Sequence, residues 1–282
     1  MRVLTRRTFL KSSVLSLASL SCAGRFGRLL PGEREKGKVD LWNGNIFTQS
    51  NVSLTKYEEG TIKAKVDGRW REYTVRELPQ EFVDWNIGSR LETLEQLRRG
   101  GMPSLAGPHS ASVASYGGGR FDTQFTINNA VKGLGFVPHA NRIEEVMERL
   151  VSTEEASMNE KLQILEEIYR EDGLLDRRKQ ISLELYTERD FETHTFLNIM
   201  VNPSVSVVFL DIPSYEIRAI ARLVHPDDEK ASADEKKMVR YVNLVHDYFH
   251  GRSPRKSIAI IFHVIEVFDN SPASRGIRVI PT

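Results

Sequence analysis

ISLELYTERDFETHTFLNIMVNPSVSVVFLDIPSYEIRAIARLV, residues 181–224, holds three strand patterns in 44 positions. Ile181–Thr187 alternates apolar and polar side chains, the period of a half-buried strand. Asn202-Pro203 punctuates the chain, and Val205–Leu210 follows as a nearly continuous apolar run, which predicts a strand buried on both faces. Tyr215–Val224 is the third strand, ended by His225-Pro226-Asp227-Asp228. A doubly wound parallel sheet alternates strand and helix throughout. This order does not, so the expected class is α+β with mainly antiparallel pairing.

Reading outward, Ala233–His250 is a helix with Met238, Tyr241, Val242, Val245 and Phe249 on its apolar face. Ser257–Phe268 is a long strand and Arg275–Ile280 a short one. Residues 140–178 are helical and charged, with one stripe at Ile143, Val146, Met147 and Leu150 and another at Met158, Leu162, Leu165, Ile168 and Tyr169. Arg177-Arg178-Lys179 reads as a solvated helix end, where cations suit the macrodipole. Pro79–Arg99 is a helix stopped by Gly100-Gly101. Ser110–Tyr116 is a strand of small residues, and small side chains there suit either an overlying helix or a flat ligand. Gly117-Gly118-Gly119 reads as a hairpin turn returning through Arg120–Ile127, with a phosphate cradle as the rival reading. Residues 39–77 are β-rich, with Asp67-Gly68 as a hairpin signal. The expected organisation is a signal at 1–23, a flexible leader at 24–38, a small accessory β section at 39–78, and a main domain at 79–282 with a helical insertion around 140–178.

The first 23 residues have a basic start, a short apolar middle and a small-residue end, the build of a secretory signal. Thr5-Arg6-Arg7-Thr8-Phe9-Leu10-Lys11 resembles the twin-arginine (Tat) signal, with Thr5 where Ser is usual. That resemblance implies export in the folded state through the Tat translocase, to the periplasm or beyond. The apolar run, broken by Ser16 and Ser19, is about half the roughly 20 residues that a membrane span needs. Cleavage after Ala23 and a lipid anchor at Cys22 are both compatible with the end of the signal. Cys22 is the single cysteine of the 282 residues, so cleavage after Ala23 removes every thiol and every disulfide. Four of the 39 basic residues and none of the 38 acidic ones lie in the signal, which leaves the remainder net acidic. That balance excludes the basic stripe of a nucleic-acid binder.

Several segments together resemble the pyridoxamine 5′-phosphate oxidase-like family of flavin-binding split barrels. Leu185-Tyr186-Thr187 is similar to its strand ending in Tyr-Thr. Phe196-Leu197-Asn198-Ile199 with Asn202-Pro203 resembles its short helix closing on Asn-Pro, and Val205–Phe209 and Glu216–Val224 resemble the core strands that follow. The resemblance implies a split β-barrel with flanking helices, a homodimer, and FMN carrying the redox chemistry. It places the phosphate on Thr187, Arg189, Thr193, His194, Thr195 and Asn198, at the start of the short helix. Helix N-termini supply N–H donors for such anions. Ser112 and Ala114 would let the flavin ring lie against the early strand. No catalytic residue is assigned. The family's Arg and Lys positions are occupied here by Thr193 and His194, and Glu192 stands where a hydroxyl is common. His194 is a weaker cation than either at neutral pH. Two readings follow: an FMN oxidoreductase, or a degenerate barrel that binds another ligand (a deazaflavin, haem) or a partner protein.

His246 and His250 stand four apart on one helix face, a spacing that can ligate metal or haem. With Asp247 beside the first and no third ligand in the sequence nearby, they read as helix-end histidines, and no metal is expected.

Overall fold

The computed structural model describes residues 40–104 and 106–281, and Trp42–Thr282 forms one compact unit. The expected signal (1–23) and leader (24–38) lie outside the described residues. The unit is a mixed α+β fold whose paired strands are all antiparallel, with five helices among the described residues.

The N-terminal section contains β1 (Trp42–Asn43), β2 (Ile46–Phe47), β3 (Val52–Ser53), β4 (Thr61–Val66) and β5 (Arg69–Thr74). Asp67 and Gly68 both take positive φ, 51° and 75°, as the hairpin turn between β4 and β5 requires. Next come α1 (Gln80–Arg98), β6 (Ser110–Ser115), β7 (Asn128–Gly133), α2 (Ile143–Ser152), α3 (Met158–Arg170) and β8 (Lys179–Glu184). The chain ends with α4 (His194–Val201), β9 (Ser204–Val208), β10 (Tyr215–Val224), α5 (Ala233–His250), β11 (Ile258–Asp269) and β12 (Ile277–Ile280).

The main sheet runs β12-β11-β10-β9-β6-β7. β8 pairs with Ile258–His263 of β11, on the edge that β12 occupies farther along. Beyond β7, Gly135 and Ile181 exchange two backbone hydrogen bonds of 2.9 Å, which links that end of the order to β8. One face of these strands is apolar and fully buried: Val113, Val207, Ile217, Ala221, Phe262 and Val264 lie there in register. β3–β5 cover the opposite face of β10, where Ile220 packs with Val52, Ile62, Ala64 and Val75.

Three local expectations are corrected. Arg120–Ile127 is not a returning strand. Residues 116–127 form an irregular excursion, and the strand that pairs with β6 is Asn128–Gly133. β9 alternates rather than being buried throughout: Val205 and Val207 are buried, Ser204, Ser206 and Val208 are half-buried, and Leu210 lies exposed beyond the strand. Arg177-Arg178-Lys179 is no solvated helix end. Lys179 opens β8, buried, with its ammonium 2.7 Å from Asp176, and Arg178 pairs with the same carboxylate.

The N-terminal section is held by polar contacts that the hydrophobic pattern does not carry. Asn51 Nδ2 donates to Ile199 O and Met200 O, each at 3.0 Å, and so satisfies carbonyls in the last turn of α4. The Gln49 side chain donates to Ala221 O and accepts from Leu223 N. Arg222 donates to Gln49 O and to the buried Glu235 carboxylate.

Buried Arg90 of α1 ties the helix to the sheet by donating to Pro108 O at 2.6 Å and Leu134 O at 2.8 Å. Arg90→Met keeps most of the packing but strands both carbonyls. The variant should lose about 2 kcal/mol in urea denaturation, the cost of unpaired buried acceptors. A loss below about 0.5 kcal/mol, the scale of a surface change, would contradict that role.

Candidate functional site

α4 starts where it does because Thr193 is extended and its Oγ1 accepts from Phe196 N at 3.2 Å, an N-cap. Thr187 braces the cap. Its hydroxyl accepts from Thr193 N and lies 3.2 Å from Thr193 Oγ1. Thr195 Oγ1 accepts from Asn128 Nδ2 at 2.9 Å. Asn198, fully buried, lies in the second turn of α4 rather than the first. Its Oδ1 accepts from Gly118 N at 2.7 Å, and its Nδ2 donates to Ser115 Oγ. The His194 ring meets Gly118 O at 3.2 Å.

Five of the expected residues, Thr187, Thr193, His194, Thr195 and Asn198, therefore do gather around one helix terminus. The other three do not join them. Arg189 is exposed on the tight turn closed by Glu188 and Phe191. Ser112 and Ala114 point to the face of β6 opposite Ser115, and Ser112 donates to Asn129.

The cation beside the helix terminus is Arg120, which the sequence reading placed in a strand. Its Nη1 donates to Glu192 O at 3.2 Å, and its guanidinium lies over the Phe191 ring. Its Nε and Nη2 bond both oxygens of Asp122, at 2.8 and 2.6 Å, and these bonds hold the Asp122 carboxyl below the usual carboxylate range. Glu192 is buried and accepts from Trp42 Nε1 at 2.9 Å. Trp42 stacks on Phe196, with Phe47 edge-on to both.

No family model matches this chain, and no curated protein shows significant similarity to it.

A phosphate dianion needs donors facing outward and a local excess of positive charge. Around α4 the hydroxyls, the Asn198 amide and the His194 ring are engaged with the chain's own atoms. Arg120 is held by a bidentate carboxylate, and Glu192, one residue before the cap, accepts from Trp42. Gly118 is pressed onto the helix: a Cβ there would lie 2.6 Å from Leu197 C and 2.8 Å from Asn198 N. The residues present do not fit the group.

The His246 and His250 rings are tilted 42° to each other with centroids 4.8 Å apart, and Asp247, between them in sequence, is engaged by Lys256 at 2.6 Å. No set of three or more His, Cys, Asp or Glu side chains comes together in metal-binding fashion among the described residues. No helix among them is long and apolar enough to cross a membrane.

Proposed function

We propose that this chain is an exported split barrel, related in plan to the pyridoxamine 5′-phosphate oxidase-like proteins, that acts as a binding protein rather than a flavoenzyme. The pairing sequence β8-β11-β10-β9-β6-β7, returning to β8 through Gly135 and Ile181, supports the barrel. The observation that carries the non-catalytic reading is the closure of the α4 terminus by residues 116–122, with Gly118 bonded to Asn198 and Arg120 bonded to Asp122.

The first partner in this reading is a second copy of the chain. The outer face of β6, β7 and β9 presents Ser112, Ala114, Val131 and Val208, and Val131 is 77% exposed. Phe125 and Ile127 lie exposed before β7, and Leu210 and Ile212 after β9. Lone exposed apolar side chains are ordinary, whereas several on and beside one sheet face suit an interaction surface. A strictly monomeric species in solution scattering would remove the dimer.

Titration of free FMN with the purified protein tests the function. No saturable quenching of flavin fluorescence is expected. A Kd near 1 μM, about −8 kcal/mol, would overturn the non-catalytic reading. A haem or deazaflavin spectrum in the protein as purified would instead name the ligand of the degenerate barrel.

Export rests on the Arg6-Arg7 pair. Replacing both with Lys should hold the precursor in the cytoplasm of a Tat-competent bacterium, while unchanged export would refute the route.

A further inference from the structure

β8 carries Gln180, Ser182 and Glu184 on the face that meets Phe262, Ile260 and Ile258 in register, the buried side of the sheet. A polar residue at every second position is unusual where the neighbouring strands are apolar. All three are at most 2% exposed. Glu184 Oε2 takes Lys132 Nζ at 2.6 Å, and the Lys132 side chain keeps 11% of its surface in solvent while that of Glu184 keeps none. Four other atoms have no hydrogen-bond partner among the described residues: Gln180 Nε2 and Oε1, Ser182 Oγ and Glu184 Oε1.

An unpaired buried polar group is costly, and each one in a native protein calls for a partner such as water. The missing partner has a defined chemistry. It donates to Gln180 Oε1 and Glu184 Oε1, accepts from Gln180 Nε2, and does either toward Ser182. Same-face residues on a strand are roughly 7 Å apart, a gap that one molecule making bonds of about 2.8 Å on each side can bridge. The short side chains of Ala111, Ala219 and Ala221 share this face.

We propose that the buried face of β8 is a binding site for a short file of water molecules, running from Gln180 past Ser182 to the Lys132–Glu184 pair. The half-open Lys132 end is where the file meets solvent. Water is the smallest species that both donates and accepts, and buried waters typically make about three bonds to otherwise unsatisfied groups. The file completes the coordination of Glu184, so the ion pair stays hydrated inside the fold. This site is independent of what binds at α4 or at the outer face.

A high-resolution crystal structure of the unmodified protein should show connected water density within hydrogen-bond distance of Gln180, Ser182 and Glu184. Dry density, or a larger bound molecule there, overturns the proposal. Two variants supply an independent reading. Where water satisfies these atoms, Gln180→Leu and Ser182→Ala remove bonds, and the melting temperature should fall by about 2–4 °C or more in each. Where the atoms are orphaned, the same substitutions remove a penalty and the melting temperature rises, which refutes the file. Ser182→Ala deletes a single oxygen, so it keeps the test decisive if the leucine variant does not fold.

Discussion

Lowering the pH from 7 to 4 should cost this protein about 3 kcal/mol of unfolding free energy through one side chain, His263. His263 is 1% exposed on β11, and neither ring nitrogen has a hydrogen-bond partner among the described residues. Burial is the main force pushing its pKa down, to about 3, and Lys179, Arg222 and Arg178 add to it against the opposing pull of Asp176. Tyr57 packs edge-on against the ring at 5.0 Å. The unfolded chain takes up the proton near pH 6.5, and the folded chain only near pH 3. Above pH 6.5 both states are neutral at this site and stability does not depend on it. Between 6.5 and 3 the unfolded state binds more protons, so stability falls as pH falls, by about 2 kcal/mol at pH 5 and about 3 at pH 4. Asp176 works lower on the scale. Burial opposes its charge, but hydrogen bonds from Arg178 and Lys179 outweigh that and hold its carboxyl below the usual range, so its contribution is lost only under more acid conditions. Urea denaturation at pH 7, 5 and 4 checks the expectation, with His263→Leu as the reference that lacks the titrating ring. Parallel losses in the two proteins would show that His263 does not drive the acid sensitivity.

How much of the fold is legible beforehand depends on which force sets each element. Tyr215–Val224 and Ala233–His250 match the structure end to end, because long periodic patterns with sharp stops leave little freedom. Ser232 and Glu235 complete a capping box that fixes the start of α5. Arg120–Ile127 misleads for the opposite reason. It contains Phe121, Phe125 and Ile127, which resemble strand residues, yet the chain leaves all three exposed and spends Arg120 on Asp122 and Glu192 O. Local pattern does not report a salt bridge to a residue two away or a carbonyl 72 residues on. The burial of Lys179 is hidden from the local pattern for a related reason: Asp176, three residues earlier, makes it possible.

The candidate site was legible in its helix and not in its partners. Thr187, Thr193, His194, Thr195 and Asn198 share one terminus because they flank or enter a single short helix, which local spacing conveys. Arg120, Asn128, Ser115 and Gly118 reach it from 67 to 83 positions away. The triple glycine reads from sequence as a hairpin turn with a phosphate cradle as its rival, and the structure instead seats Gly118 against the helix. The poor charge of Glu192-Thr193-His194 was also visible. The structure adds that Trp42 and Arg120 engage Glu192 within the chain itself.

Gly118→Ala should cost about 2–4 kcal/mol, an unusually large effect for a loop position. The cause is steric and lies in backbone atoms that cannot swing aside. The new Cβ would sit 2.6 Å from Leu197 C, 2.7 Å from Leu197 O and 2.8 Å from Asn198 N, separations that require the loop or the helix to shift. A shift also lengthens the 2.7 Å bond from Gly118 N to Asn198 Oδ1, leaving a buried amide oxygen poorly paired. Gly119→Ala is the matched control, because nothing lies within 4 Å of a Cβ at Gly119. It should fall within about 0.5 kcal/mol of the parent. Equal stability of the Gly118 and Gly119 variants in urea would refute the tight seat of this loop on α4. Hydrogen exchange locates the effect. Amides of 116–127 and of the first turns of α4 should lose protection in Gly118→Ala, while those of β10 and β11 stay protected except through global unfolding. The same variant bears on function, since unseating the loop uncovers the Thr193 cap and separates Arg120 from Glu192 O. Flavin quenching that arises in Gly118→Ala and not in the parent would identify residues 116–122 as the cover over an anion site. Its absence in both proteins would mean that the seat of residues 116–122 is not what keeps a phosphate from α4.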